Sequence, residues 1–293
     1  GDVYKRQDIY NEIIPIGIRN RRNIKDSKLS DSEIITISIV GELLTIDSEK
    51  SFFSLLKREY KELFPRLGDR TRFNRTKRNL HLVISKIRGY ISEFMQLYSN
   101  NIRVIDSMPI PVCEFGRAHF SKCFKGEASY GICASKKETY FGFKFHALTT
   151  VDGFLTDYVI TPANIDDRNA VWDLCDKYRS ISIIGDKGYI NKRLTPELKS
   201  ERDIDLLFLK RANSRDNYPK EVRQLLFKVR RRIETSFSQL TEQLNLNKVK
   251  SKSMLGFMTR TSIKVLAHNI SFLINKLMRN DDSMAKIKRL VFG

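Results

Sequence analysis

Three acidic residues stand where acids have no packing purpose. Asp106 ends the short apolar run Ile102-Arg103-Val104-Ile105-Asp106, and Asp186 ends a second, Ile181-Ser182-Ile183-Ile184-Gly185-Asp186. Glu234 lies in the basic helical stretch Arg230-Arg231-Arg232-Ile233-Glu234. Carboxylates at the ends of buried strands are free to face a ligand. Three of them converging make an oxygen-rich site for hard divalent cations, Mg²⁺ above all. Asp152, Asp166 and Asp167 read instead as turn and cap residues.

The elements that must bring these acids together follow from residue 101 onward. The order is strand, strand, strand, helix, strand, helix, strand, helix. Residues 140–150 alternate and are rich in aromatic and β-branched side chains. Val151-Asp152-Gly153 turns the chain back into the run Phe154 to Ile160. A helix from Asp166 or Asp167 through Tyr178 leads to the strand ending at Asp186. Thr195-Pro196-Glu197 opens another helix, since proline suits its first position. A strand from Ile204 to Leu209 follows. Pro219 begins a helix with Val222, Leu225, Leu226, Val229, Ile233, Leu240 and Leu244 on its apolar face. Met254 to Met278 reads as one more amphipathic helix, and Pro109 to Lys137 as an irregular surface loop. If the strand after the first crossover pairs in parallel beside the first strand, a mixed five-stranded α/β sheet of order 3-2-1-4-5 results. Asp106 and Asp186 then end neighbouring strands, about 4.8 Å apart, where strand order reverses and ligands bind. Gly185 and Gly188 flank the second acid with little side chain.

Residues 1–100 read as an all-α region, and 101–293 as the second domain. Ser30 with Glu33 forms a capping box ahead of Ile34 to Leu44. Ser48 opens a second helix, and Asp69 caps a long one through about Tyr98. The first turns of that helix carry Arg70, Arg72, Arg75, Lys77 and Arg78, and its later turns are apolar. A short helix, a turn and a helix with a basic amino end present themselves as a DNA-binding helix-turn-helix. A helical bundle with one solvated charged face is the competing reading.

The formal charge of +19 and pI near 9.8 point to an anionic partner, nucleic acid first. From Lys187 to Lys264 there are 19 Lys and Arg against 8 Asp and Glu. No apolar run approaches the roughly 18 residues that span a bilayer, and the amino end has no signal-peptide core. A cytoplasmic protein with four reduced cysteines is expected. Cys113, Cys123, Cys133 and Cys175 lack C-x-x-C spacing. A cluster of three of them with His119 and His146 is the weaker possibility.

The set Asp106 in I-D-S-M-P, Asp186 in G-D-K-G-Y and Glu234 in R-R-x-I-E-x-x-F resembles the DDE catalytic triad of bacterial insertion-sequence transposases. That family belongs to the RNase H-like, or retroviral integrase, superfamily. Residues 140–146, Asp152-Gly153 and Thr161-Pro162-Ala163-Asn164 are similar to it as well. The spacings are 80 and 48 residues, and the resemblance spans about residues 70–280. Arg231 fits the family's arginine, whereas Lys228 and Thr241 stand near where a Tyr and a Lys are expected.

The resemblance implies an RNase H-like catalytic domain and DNA cleavage with strand transfer. It implies two Mg²⁺ ions, for which Mn²⁺ substitutes. Asp106 would bridge the ions while Asp186 and Glu234 each hold one. Partners would be the element's terminal inverted repeats and target DNA, with a homodimer on DNA and a nucleoid-associated location. Lys228, Arg230, Arg231 and Arg232 would contact phosphates and keep Glu234 ionised. Lys187, beside the second acid, would also reach a phosphate. Lys144 and His146 alternate along a strand; His146 either faces the site or is a hydrogen-bonded core residue. Trp172 is read as core packing, with base stacking the rival. A nuclease on the same fold that does not join strands, and a non-catalytic DNA-binding descendant, are the alternative functions. The intact acids weigh against the second.

Overall fold

The computed structural model describes residues 16–19, 27–96, 99–133, 137–189, 191, 193–208, 218–278 and 285–287. Among the described residues a single helical turn, Ile16–Arg19, and four longer helices precede the sheet: α1 (Asp31–Leu43), α2 (Glu49–Glu59), α3 (Arg70–Asn79) and α4 (His81–Gln96). The α1 cap is the expected box. The Glu33 N–H donates to Ser30 Oγ at 3.2 Å, and the Ser30 N–H donates to Glu33 Oε2 at 2.6 Å. Ser48 and Asp69 cap α2 and α3 with the side chain alone, accepting from the Ser51 and Arg72 N–H groups. The single long helix predicted from Asp69 is instead two, broken at Leu80, which is fully buried. No proline or glycine marks the break. It separates a half whose Arg70, Arg72 and Arg75 face solvent from one whose Val83, Ile84 and Ile91 enter the core.

The sheet contains β1 (Ile102–Pro111), β2 (Ser129–Cys133), β3 (Glu138–Thr150), β4 (Leu155–Pro162), β5 (Ile181–Gly185) and β6 (Ile204–Phe208). β1 is antiparallel to β3 and parallel to β5; β4 pairs with β3, and β6 with β5. For the five predicted strands the order is the expected one. β2, predicted as loop, adds a sixth strand on the amino end of β3. Leu209, the predicted last residue of β6, lies outside the described residues. Helices α5 (Ala170–Cys175), α6 (Leu194–Arg202), α7 (Lys220–Ser238) and α8 (Met254–Leu277) complete the fold. α7 passes into a π-turn over Gln239–Gln243 rather than running on as regular helix.

One prediction for β1 needs correcting, because the strand does not end at Asp106 but continues to Pro111. Prolines 109 and 111 are tolerated because β5 accompanies β1 only as far as Val104↔Ile184. The Val112 N–H donates to the Phe141 carbonyl. By alternation, the proline nitrogens point away from β3 toward that open edge.

Alternate residues of β1 feed two cores. Val104, Met108 and Ile110 pack with α1, α4, α7 and α8, and Ile105 packs with α5 and α6. Asp106 shares the parity of Val104 and therefore faces α7. α8 is buried on nearly all sides, not on one stripe as predicted, and packs against α1 and α4. Its Lys264 and Arg260 are ion-paired with Glu42 of α1. Conversely, Val222 and Leu225 of α7, predicted as core, are exposed. Among the described residues no helix is long and apolar enough to cross a membrane.

The β3–β4 hairpin fixes α7. Gly153 has φ +93°, and the Ser236 hydroxyl donates to its carbonyl at 2.7 Å. A Cβ at Gly153 would stand 2.8 Å from Ser236 Oγ. Gly153→Ala is therefore expected to cost about 1–3 kcal/mol in backbone strain and the displaced hydrogen bond, measured as a lower urea midpoint at unchanged m-value.

Candidate active site

The register of the central strands sets the first two acids. Asp106 and Asp186 each stand two residues past the last β1–β5 pair, Val104↔Ile184. The third comes from α7, held against the sheet by Ile233 and Leu226, both buried. Helical spacing puts Arg230 and Glu234 on the same face, one turn apart.

The arrangement centres on a cation. Arg230 Nη2 lies 3.4 Å from Asp106 Oδ2, 3.9 Å from Asp186 Oδ2 and 3.6 Å from Glu234 Oε1. One guanidinium nitrogen is thus within 4.0 Å of all three carboxylates. The acids differ in their access to water. The Asp106 side chain is 18% exposed, that of Asp186 38% and that of Glu234 53%. Burial pushes the Asp106 carboxyl up to about 6. The Ser107 N–H, donating to Oδ1 at 2.8 Å, and the Arg230 charge oppose that rise, while the like charge of Asp186 adds to it. The three acids have the donor type a hard divalent cation takes, and they already surround one positive group. Among the described residues no set of three or more His, Cys, Asp or Glu is close enough to hold a metal ion directly. Arg230 stands in the middle of the set.

Other predicted site residues are distributed more widely. Lys228, Arg231 and Arg232 are exposed on α7, and Arg70, Arg72 and Arg75 on α3, with Arg78 half-buried. Lys77 is nearly buried and paired with Glu49. Lys144 donates to Asp167 Oδ1 and to the Ile165 carbonyl, both at 2.8 Å. The side chain of Lys187 lies outside the described residues. His146 is a core histidine: Nε2 is 2.9 Å from Thr161 Oγ1, and burial pushes the ring down to about 4. Trp172 packs on the α5–α6 core under the Arg202 guanidinium. The four cysteines form no disulfide bonds. Gly185 serves close packing rather than ligand access, since a Cβ there would meet Ile105 Cγ2 at 2.9 Å; beside Gly188 there is open space.

The central position of Arg230 was not legible from the motif, which favours Arg231. The i,i+4 spacing to Glu234 is the signal that selects Arg230. The Asp167–Lys144–His146 group beside β1 also escaped the sequence reading, because Asp167 looks like a helix cap.

A family model described as a transposase DDE domain matches residues 97–254. No curated protein and no solved structure matches the chain significantly.

Asp106 binds its proton more tightly in the folded chain than in the unfolded one. Folding then becomes less favourable as pH rises from about 4 to about 6, and the loss persists above that window. Asp106→Asn should therefore raise stability at pH 7 without divalent ions, by about 1–3 kcal/mol, and flatten the fall between pH 4 and 6. Urea melts across that range read the difference.

Proposed function

The chain belongs to the transposase DDE domain family, and from that premise we propose that it cuts DNA strands and joins the ends to a target in a divalent-metal-dependent reaction. The observation that carries this reading is the convergence of Asp106, Asp186 and Glu234 on a single cationic group, each from a different element. A site that spends a guanidinium on holding three carboxylates together is built for strong positive charge. Asp106, Asp186 and Glu234 are the residues that would hold Mg²⁺, or Mn²⁺ in its place. When bound, the metal would supply activation of an attacking hydroxyl oxygen and charge stabilisation of the departing one.

The chain's own residues would do the rest. Ser107 fixes one Asp106 oxygen through its N–H, leaving Oδ2 to the Arg230 guanidinium. Arg230 screens mutual repulsion among the acids before metal enters, and its length lets it swing to a phosphate afterwards. Lys228, Arg231 and Arg232 line the exposed face of the same helix and would hold the strand that is cut. Two ends must be processed together, so a homodimer on DNA goes with this reading.

Four measurements test it. Asp106→Asn should lower Mg²⁺-dependent nicking of a duplex bearing the element's ends by more than about 100-fold, beyond the loss typical of an outer-shell change. Duplex affinity should meanwhile stay within about twofold of the unaltered chain's. Joining of precut ends to a plasmid distinguishes strand transfer from simple hydrolysis. Arg230→Gln removes the competing internal charge and is expected to tighten Mn²⁺ binding by about tenfold or more at low salt, read by calorimetry without DNA. Unchanged affinity there would mean that the acids do not share their cation site with Arg230.

A further inference from the structure

An open cleft of about 570 Å³ lies between α3, the segment 250–253 and the amino end of α8. Four cations on its walls, Arg70, Arg78, Lys250 and Lys252, form no ion pair with any described residue. Two further cations there, Lys77 and Arg260, are neutralised by Glu49 and by Glu42 with Asp47. Glu49 is the one acid on the wall among the described residues, and its charge is already taken. The cleft therefore carries about four uncompensated positive charges facing one opening. Such crowding is unfavourable in the free chain and favourable once an extended anion fills it.

The remaining walls narrow the chemistry. The cleft has room for about twenty waters, far more than a single inorganic anion needs. Ser253 keeps its hydroxyl proton while its oxygen caps α8, and Asn74 keeps a second amide hydrogen beside the one given to Glu49; both suit phosphate and sugar oxygens, whereas the Ser251 and Thr259 hydroxyls donate to backbone carbonyls. No aromatic side chain lines the cleft among the described residues, so nothing offers an unpaired base a surface to stack on. Gly256 keeps the turn before α8 tight, since a Cβ there would stand 2.6 Å from Ser251 Oγ. That turn holds Lys250 and Lys252 close to α3.

We infer that this cleft grips the sugar–phosphate backbone of duplex DNA, with Arg78 on one wall and Lys250 and Lys252 on the other. The inference rests on the reading of the chain as acting on DNA, but not on the three carboxylates. It also means that the amino-terminal helices bind DNA jointly with α8 rather than as a detachable module.

The test uses the full chain, a duplex of about 30 base pairs and fluorescence anisotropy over a salt series. The double variant Arg78→Gln, Lys252→Gln should lower the slope of log K against log salt by about two, which corresponds to about 30-fold weaker binding at 0.15 M. Lys86→Glu on the exposed face of α4 changes the charge by the same two units and should leave the slope unchanged. Duplex should also protect Lys250 and Lys252, but not Lys86, from acylation in the unaltered chain. That measurement needs no variant to fold. A slope unaffected by the double variant, a loss matched by Lys86→Glu, or protection by tripolyphosphate but not by duplex would each overturn the inference. Binding through the cleft without any nicking by the unaltered chain would sink the proposed reaction and leave the cleft standing.

Discussion

Three carboxylates drawn together at one site repel one another, and Arg230, within ion-pair reach of each, offsets that repulsion. At separations near 4 Å each acid–guanidinium contact contributes most where water is least. Asp106, the most enclosed of the three, depends on it most; its carboxyl still sits well above the usual aspartate range because burial outweighs both the guanidinium and the Ser107 N–H. Glu234, half in water, depends on it least. The site therefore has a graded electrostatic interior: one acid poised between protonation states at the sheet, and two progressively wetter ones outside it.

That arrangement requires α7 to cross the sheet at one azimuth. Ile233 and Leu226 point inward, and Ser236 ties the helix to the hairpin carbonyl at Gly153. Rotation by one residue, about 100°, would carry Arg231 inward and remove Arg230 and Glu234 from the acids. The exposed Val222, Leu225 and Phe227 on the earlier turns show the same constraint from the other side. The helix keeps its apolar residues out of the core rather than give up the orientation that holds Glu234 over β1 and β5.

Much of this was readable from residue order. The strand pattern, the hairpin at Asp152-Gly153, the caps at Ser30, Ser48 and Asp69, and the parallel β1–β5 pairing all rest on short-range rules that these segments obey. The failures come where tertiary context decides. β1 runs on past Asp106 because β5 leaves its far edge unpaired, which admits prolines that argue against a strand. β2 has only five residues, and its Tyr130 and Ile132 face solvent, so its alternation carries no burial signal. α8 looked amphipathic because Arg260, Lys264, His268 and Asn269 interrupt its apolar run. Those residues are buried against partners in α1, α7 and β4 and in the turns joined to them, which a single helix cannot reveal. At the site, residue types announced the acids, whereas the choice among three consecutive arginines was a matter of helical phase.

Among the described residues the cations divide between two tasks. Most of those inside the fold have acidic partners: Lys77 with Glu49, Arg88 with Asp157, Lys144 with Asp167, and Arg260 and Lys264 with Glu42, whereas buried Arg103 donates to backbone carbonyls and Gln96. Buried pairs of this kind add little net stability over apolar packing, but losing one partner strands the other at a cost of about 3–5 kcal/mol. They fix how α1 and α2 sit on α8 and α3. Exposed cations lie outside that network, among them those on α3, on the turn before α8 and on the outer face of α7, with Lys86 on α4. Added salt screens those exposed charges and barely touches the enclosed ones. A chain divided in this way can lose its attraction for phosphates as ionic strength rises while its architecture stays intact. Attraction and fold rest largely on different side chains, and Arg230 is the cation that belongs to the geometry of the three acids.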